Sequence, residues 1–191
     1  MQLIDYLNSF SKLSEDAIQL LQSHLKTELL PKGTHFLKSG ERCRRAAFIE
    51  GGILRYYFYD ANGNEFTHCF VTKTGFVTDT MAFYNQTLST QYIVAETEVE
   101  LTYFTFSSYN IFKAEIPEWE NIIKKATDAA YAAKLMEKSF IISEDATTRY
   151  LNFARNHPEI LQNVALKSIA SFLGMTKLSL SRIRKNLANN S

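Results

Sequence analysis

Residues 166–187, LKSIASFLGMTKLSLSRIRKNL, constrain this chain more tightly than any other stretch. Ile169 and Leu173 stand at helical spacing, as do Leu180 and Ile183, with Gly174 between the two pairs. A tight corner between helices calls for one residue at positive φ, which glycine adopts without steric cost. Ala170 is small where the two helices must approach, and Met175 can fill the inside of the corner. Thr176 suits the N-cap of the second helix, since its hydroxyl can accept from a free N–H of the first turn. The pattern predicts two short helices hinged at one glycine.

The outward residues give this unit a chemistry. Lys177, Leu178, Ser181, Arg182 and Lys185 fall on the side away from the apolar stripe. When the second helix of a helix-turn-helix enters the major groove, Thr176, Lys177, Leu178 and Arg182 hold the positions that reach base edges. Arginine can bond guanine through two donors, the commonest specific contact. Lys167, Ser168, Ser179, Arg184 and Lys185 are better placed for phosphates, which fix register and carry no sequence information. A plain αα-hairpin is the alternative. The small Ala170 and the lack of any acid after Glu159 weigh against it, because DNA repels carboxylates.

The run IASFLGMTKLSLSRIRKNL resembles the recognition unit of the Crp/Fnr family of bacterial transcription regulators. Ile169, Ala170, Leu173, Gly174, Met175, Thr176, Ser179, Leu180, Ser181, Arg182, Ile183 and Lys185 carry the resemblance. The family often has a glutamate that reads cytosine where Leu178 stands. Leucine accepts no hydrogen bond, so the resemblance does not extend to a consensus operator.

Charge is distributed to match. The net charge is +1, yet residues 143–191 hold seven basic groups against three acids, for +4. Residues 1–142 hold fourteen against seventeen, for −3. A near-neutral chain with a basic end suits one nucleic-acid-binding module, although a solvated charged face would also give a +4 segment. Cys43 and Cys69 match no zinc spacing and read as reduced thiols of a cytoplasmic protein. No apolar run reaches the roughly 18 residues of a membrane helix, and no signal segment opens the chain, so no membrane partner is expected.

Along the chain, residues 1–29 read as helical, with Ser14 capping a second helix whose stripe is Ile18, Leu21, Leu25 and Leu29. From Pro31 to Phe112 the segments turn short, aromatic and β-branched. Strands are expected near 35–37, 46–50, 53–59, 65–71, 91–95 and 99–106, with 76–85 less regular, and together they suggest a barrel or sandwich. A short helix follows at 107–112. A long one follows from Pro117 to about 142, with Trp119, Ile123, Ala126, Ala130, Ala133 and Phe140 near a 3.5-residue repeat. Small residues there would let a partner helix come close, which makes it a dimer seam; the competing reading packs it on its own β domain. A helix over residues 146–156, capped by the preceding Ser-Glu-Asp and stopped by Pro158, leads into the terminal unit.

This order again resembles the Crp/Fnr family, over nearly the whole chain, and FIEGGILRYYFYDANGNEFTHCF is similar to the family's β-roll. The resemblance implies an α+β protein. Residues 1–114 would form an N-terminal antiparallel β-roll of cyclic-nucleotide-binding-like type, and residues 115–142 a long dimerisation helix. Residues 143–191 would form a C-terminal helix-turn-helix with little or no wing, since four residues follow Leu187. The implied partners are double-stranded DNA with a pseudo-palindromic operator, a second copy of the chain and a small-molecule effector, with RNA polymerase a further candidate. In cyclic-AMP-binding members an arginine-serine pair holds the phosphate. Here Asp79 and Thr80 fall near the ribose-binding acid and Ser89-Thr90 near that pair, so the arginine is missing. A buried phosphate without a cation is costly, and no Lys or Arg lies between Lys73 and Lys113. Asp79, Thr80, Ser89 and Thr90 are therefore expected to line a pocket that takes another small effector or none, not cyclic AMP.

No catalytic motif occurs: there is no glycine-rich phosphate loop, H-E-x-x-H or G-x-S-x-G. His24, His35 and His68 form no recognisable metal or haem ligand set, and no N-terminal cysteine cluster suggests an iron–sulfur centre. The expectation is a non-enzyme without cofactor or metal. Two alternatives stay open, a cupin-like small-molecule protein or enzyme and a β-roll module that has lost DNA binding.

Overall fold

The computed structural model describes residues 3–189; Met1, Gln2, Asn190 and Ser191, which fall in the first and last segments expected from the sequence, lie outside the described residues. Two helices open the fold, α1 (Leu3–Asn8) and α2 (Glu15–His24). Ser14 caps α2, its Oγ accepting from the Ala17 N–H at 3.2 Å, and Leu21 is fully buried beneath it. The helix does not run on to Leu29 as its stripe suggested. Leu25 is its C-cap, and Lys26–Leu30 forms strand β1. The partner strand decides this: β1 pairs along its whole length with the last strand of the roll, Lys26 opposite Tyr103 and Leu30 opposite Val99. Leu30 is buried there while Leu29 stays 58% exposed.

The remaining strands are β2 (His35–Leu37), β3 (Arg45–Gly51), β4 (Leu54–Tyr59), β5 (Glu65–Val71), β6 (Phe76–Val77), β7 (Tyr92–Ala95) and β8 (Val99–Thr105). They form two four-stranded sheets, ordered β1-β8-β3-β6 and β2-β7-β4-β5, with antiparallel pairing throughout. The less regular stretch resolves into β6 and a helix, α3 (Thr80–Asn85). Between β3 and β4 the chain turns at Gly52, whose φ is +92°; a Cβ there would meet the Glu98 carbonyl oxygen at 2.3 Å, so only glycine fits. The β4–β5 turn is held by Asp60, whose Oδ1 accepts from the N–H groups of Asn62 and Asn64.

Helix α4 (Phe106–Glu115) follows, longer than the segment expected, and then α5 (Trp119–Ser143). Pro117 stands in the turn just before α5. Trp119, Ile122 and Ala126 are buried against the roll. Beyond them one side of the helix is uncovered: Tyr131, Leu135, Met136 and Ile142 are exposed, as are Ala130 and Ala133. The start of the helix packs on its own β domain, and its later turns present an uncovered apolar face. The chain ends in α6 (Ala146–Asn156), α7 (Pro158–Asn163), α8 (Leu166–Phe172) and α9 (Lys177–Asn189). Pro158 both ends α6 and opens α7, where its missing N–H costs nothing. One contiguous apolar core runs from Leu3 to Leu180 and includes both the roll and the terminal helices. Among the described residues no helix is long and apolar enough to cross a membrane.

Candidate nucleic-acid interface

Helices α8 and α9 meet at a corner built by backbone geometry. Gly174 takes φ +66°. Its N–H bonds the Ser171 carbonyl at 3.2 Å, and the Met175 N–H bonds the Ala170 carbonyl at 3.0 Å. This pair is the Schellman closure of a helix, which needs a left-handed residue where Gly174 stands. Arg149 of α6 braces the corner, donating from Nη1 to the Leu173 carbonyl at 2.7 Å. Thr176 then caps α9, its Oγ1 accepting from the Ser179 N–H at 3.1 Å and sharing a 2.9 Å hydrogen bond with the Ser179 hydroxyl. Ile169, Ala170, Leu173 and Leu180 are buried together, Met175 and Ile183 half-buried beside them.

The opposite face of α9 is open. Lys177, Leu178, Ser181, Arg182, Arg184 and Lys185 are exposed, Leu178 by 61%. Lys167, in the first turn of α8, is exposed as well. Among the described residues none of these five cations has a carboxylate partner. The arrangement is a helix N-terminus followed by unpaired cations along one helical face, which suits a polyanion. Two candidates fare differently. Ser168 is 6% exposed, buried in the turn of α8 that packs inward, so its hydroxyl is not offered to a phosphate. Ser179 is half-buried, and its hydroxyl is held by the Thr176 cap.

Sequence reasoning missed how this unit is seated. Strand β5 is the edge of its sheet, and edge N–H groups need partners. The Thr67 N–H donates to Ser171 Oγ of α8 at 2.9 Å, and that hydroxyl donates on to the Glu65 carbonyl at 3.4 Å. Phe70 of β5 meets Phe172 edge-on at 5.4 Å, and Phe153 of α6 completes the cluster. Beneath lies Arg55, 7% exposed, which pairs with Glu65 at 2.8 Å and with Glu96, and stacks on Tyr57. No local signal marks Ser171 for this role, because its partners lie over a hundred residues away.

The four residues expected to line an effector pocket do not share one. Asp79 and Ser89 are sealed inside, 7% and 2% exposed. The Ser89 hydroxyl donates to Asp79 Oδ2 at 2.8 Å, and Asp79 Oδ1 accepts from the Ala82 N–H as the cap of α3. Their polar atoms are satisfied by the fold itself. Thr80 lines a cavity of about 160 Å³ between the roll and α5, whereas Thr90 lies in a separate surface depression beside His68.

With this geometry the chain can be set beside solved structures. No protein-family model matches the sequence, and no curated protein matches it. A protein from Eubacterium rectale described as a regulator of the crp/fnr family superposes with TM-score 0.77 at 16% identity, over 97% of this chain and 88% of its own. The c-di-GMP responsive global regulator CLP of Xanthomonas campestris gives TM-score 0.72 at 16% identity, over 93% of each chain. A cyclic nucleotide-binding domain from Methylobacillus flagellatus gives 0.61 at 14% identity, over 82% of each. The fold is that of the Crp/Fnr regulators: a cyclic-nucleotide-binding-like β-roll, a long helix and a helix-turn-helix.

Proposed function

We propose that this chain is a sequence-specific, DNA-binding transcriptional regulator of the Crp/Fnr type, acting as a cytoplasmic homodimer and not as an enzyme. The observation that carries this reading is the face of α9, where Lys177, Arg182, Arg184 and Lys185 stand exposed, without a carboxylate partner among the described residues, on a helix fixed by a glycine corner. In this reading residues 1–114 sense or scaffold, 115–142 pair the two copies, and 143–191 read DNA. Thr176, Lys177, Leu178, Ser181 and Arg182 face base edges, and Lys167, Arg184 and Lys185 face phosphates. Two-fold symmetry sets two such helices against a pseudo-palindromic operator with half-sites roughly 34 Å apart. The uncovered face of α5, with Leu135, Met136 and Ile142 exposed, supports the pairing.

The test is binding of the full chain to random-sequence duplex, followed by fluorescence anisotropy across a salt series. Replacing Lys177, Arg182 and Lys185 together with glutamine should remove most of the affinity and flatten the salt dependence. The slope should fall by about 1 for each phosphate that no longer meets a cation. Equal binding by the triple variant would overturn the reading.

A further inference from the structure

A groove of about 520 Å³ runs between the later turns of α5 and the helices α6 and α8. Its lining comes from these three helices and their caps. That volume falls within the roughly 300–1,000 Å³ of small-molecule sites. From α5 come Ala133, Glu137, Phe140 and Ile141, spaced as a single helical stripe. The stripe faces away from Tyr131, Leu135 and Ile142, so a partner helix on that exposed face leaves the groove open. Across from it, Phe153, Phe172 and Leu173 form a buried apolar floor. From Ala133 to Ile141 the helix rises about 12 Å, a length that suits an extended chain better than a ring.

The groove also holds a charge that the fold does not compensate. Arg149, in the first turn of α6, lines it and is half-buried. Its Nη1 donates to the Leu173 carbonyl, and its Nε is enclosed without a hydrogen bond. No carboxylate pairs with it among the described residues. A partly buried guanidinium without an anion is costly, and its planar donors match a carboxylate. One turn on, Asn152 Oδ1 accepts from Asn156 Nδ2 at 3.2 Å, and the amide donors of Asn152 have no partner among the described residues. The acid on the rim, Glu137, is held by His157 at 2.9 Å. His157 caps the far end of α6, about 12 Å along the helix from Arg149. Lys134 also lines the groove, its ammonium 5.5 Å from the ring centroid of Tyr56. An apolar channel with an unpaired guanidinium and an amide donor near one end is complementary to a chain bearing a terminal anion.

We infer that this groove binds a straight-chain monocarboxylate of medium length, its carboxylate at Arg149 and Asn152 and its alkyl tail along Phe140, Phe153 and Phe172. The head supplies the anion that Arg149 lacks, and the tail removes apolar surface of α5, α6 and α8 from water. The site stands whether or not α9 binds DNA, and its occupancy is read without duplex, so either reading can fail alone.

The experiment is isothermal titration of the full chain with octanoate, octanol and acetate, repeated on Arg149→Met and Asn152→Asp. Thermal midpoints without ligand check that each variant folds. Arg149 also braces the corner at Gly174, so Asn152→Asp decides the matter if Arg149→Met does not fold; an aspartate there still accepts from Asn156 and sets a carboxylate beside Arg149. Saturable binding of one octanoate per chain is expected, weakened about tenfold or more by either substitution. Octanol should bind more weakly than octanoate, and to the wild type and Asn152→Asp alike. Absence of octanoate binding, octanoate binding indifferent to Asn152→Asp, or acetate binding as tightly as octanoate would overturn the inference.

Discussion

Gly174 sets the corner of the helix-turn-helix. Its φ of +66° is forced by the Schellman closure, and an added Cβ would lie 3.3 Å from Arg149 Nη1, the group that braces the corner. Gly174→Ala should therefore lower stability by about 1–2 kcal/mol, the cost of a left-handed L-residue. Urea denaturation checks it, and no loss would mean that the corner can re-form without a left-handed residue. A second residue-scale outcome concerns His68. Burial, then Lys138 at 3.0 Å from Nδ1 and Lys134 nearby, lower its pKa below the ordinary 6.5. The unfolded chain then takes up a proton near 6.5 that the folded chain still refuses. Stability contributed by neutral His68 is full above pH 6.5 and is lost as pH falls through its folded pKa. His35 shifts the same way, through burial and Lys38, so His68→Gln should flatten part of the acid side of a stability–pH profile. An unchanged profile would contradict the assignment. At this scale the sequence was readable wherever chemistry is local: Gly174, Thr176 and Ser14 each act on atoms within a few residues. Ser168 was not, because its burial depends on which face of α8 turns inward.

Among the elements, α5 leaves an extended apolar face uncovered. Its first two turns are anchored by Trp119, Ile122 and Ala126, and its later turns expose Tyr131, Leu135, Met136 and Ile142. If a second copy covers that face, Met136→Glu with Ile142→Glu should shift the chain from dimer to monomer in sedimentation velocity, with little change in monomer stability, since both positions are exposed. A monomeric wild type would place the pairing elsewhere. The long helix, six strands and both helices of the helix-turn-helix were legible from periodicity and turn residues. Strand β1 was not: Leu25 and Leu29 continue a helical stripe, and only pairing with β8 makes residues 26–30 extended. Two of the four candidate pocket residues were misjudged for a related reason. The family resemblance set Asp79 and Ser89 in one pocket but could not reveal that they are buried and bond each other.

Across the whole molecule, the helix-turn-helix is not a free appendage. Helix α8 completes the edge of β5 through Ser171, and the Phe70–Phe153–Phe172 cluster joins the two parts in one core. The negative remainder and the basic end are thus held in a fixed relation, which leaves the cations of α9 facing outward. The most direct test of the central claim is selection of bound duplexes from a random pool by the purified full chain, followed by affinity measurement on the enriched sequence for wild type and Arg182→Ala. The account predicts an enriched pseudo-palindrome with half-sites one helical turn apart. Arg182→Ala should cost about 1–3 kcal/mol on it and relax preference at one base pair of each half-site. A pool that shows no enrichment, or an enriched site that Arg182→Ala binds with undiminished affinity and selectivity, would contradict it.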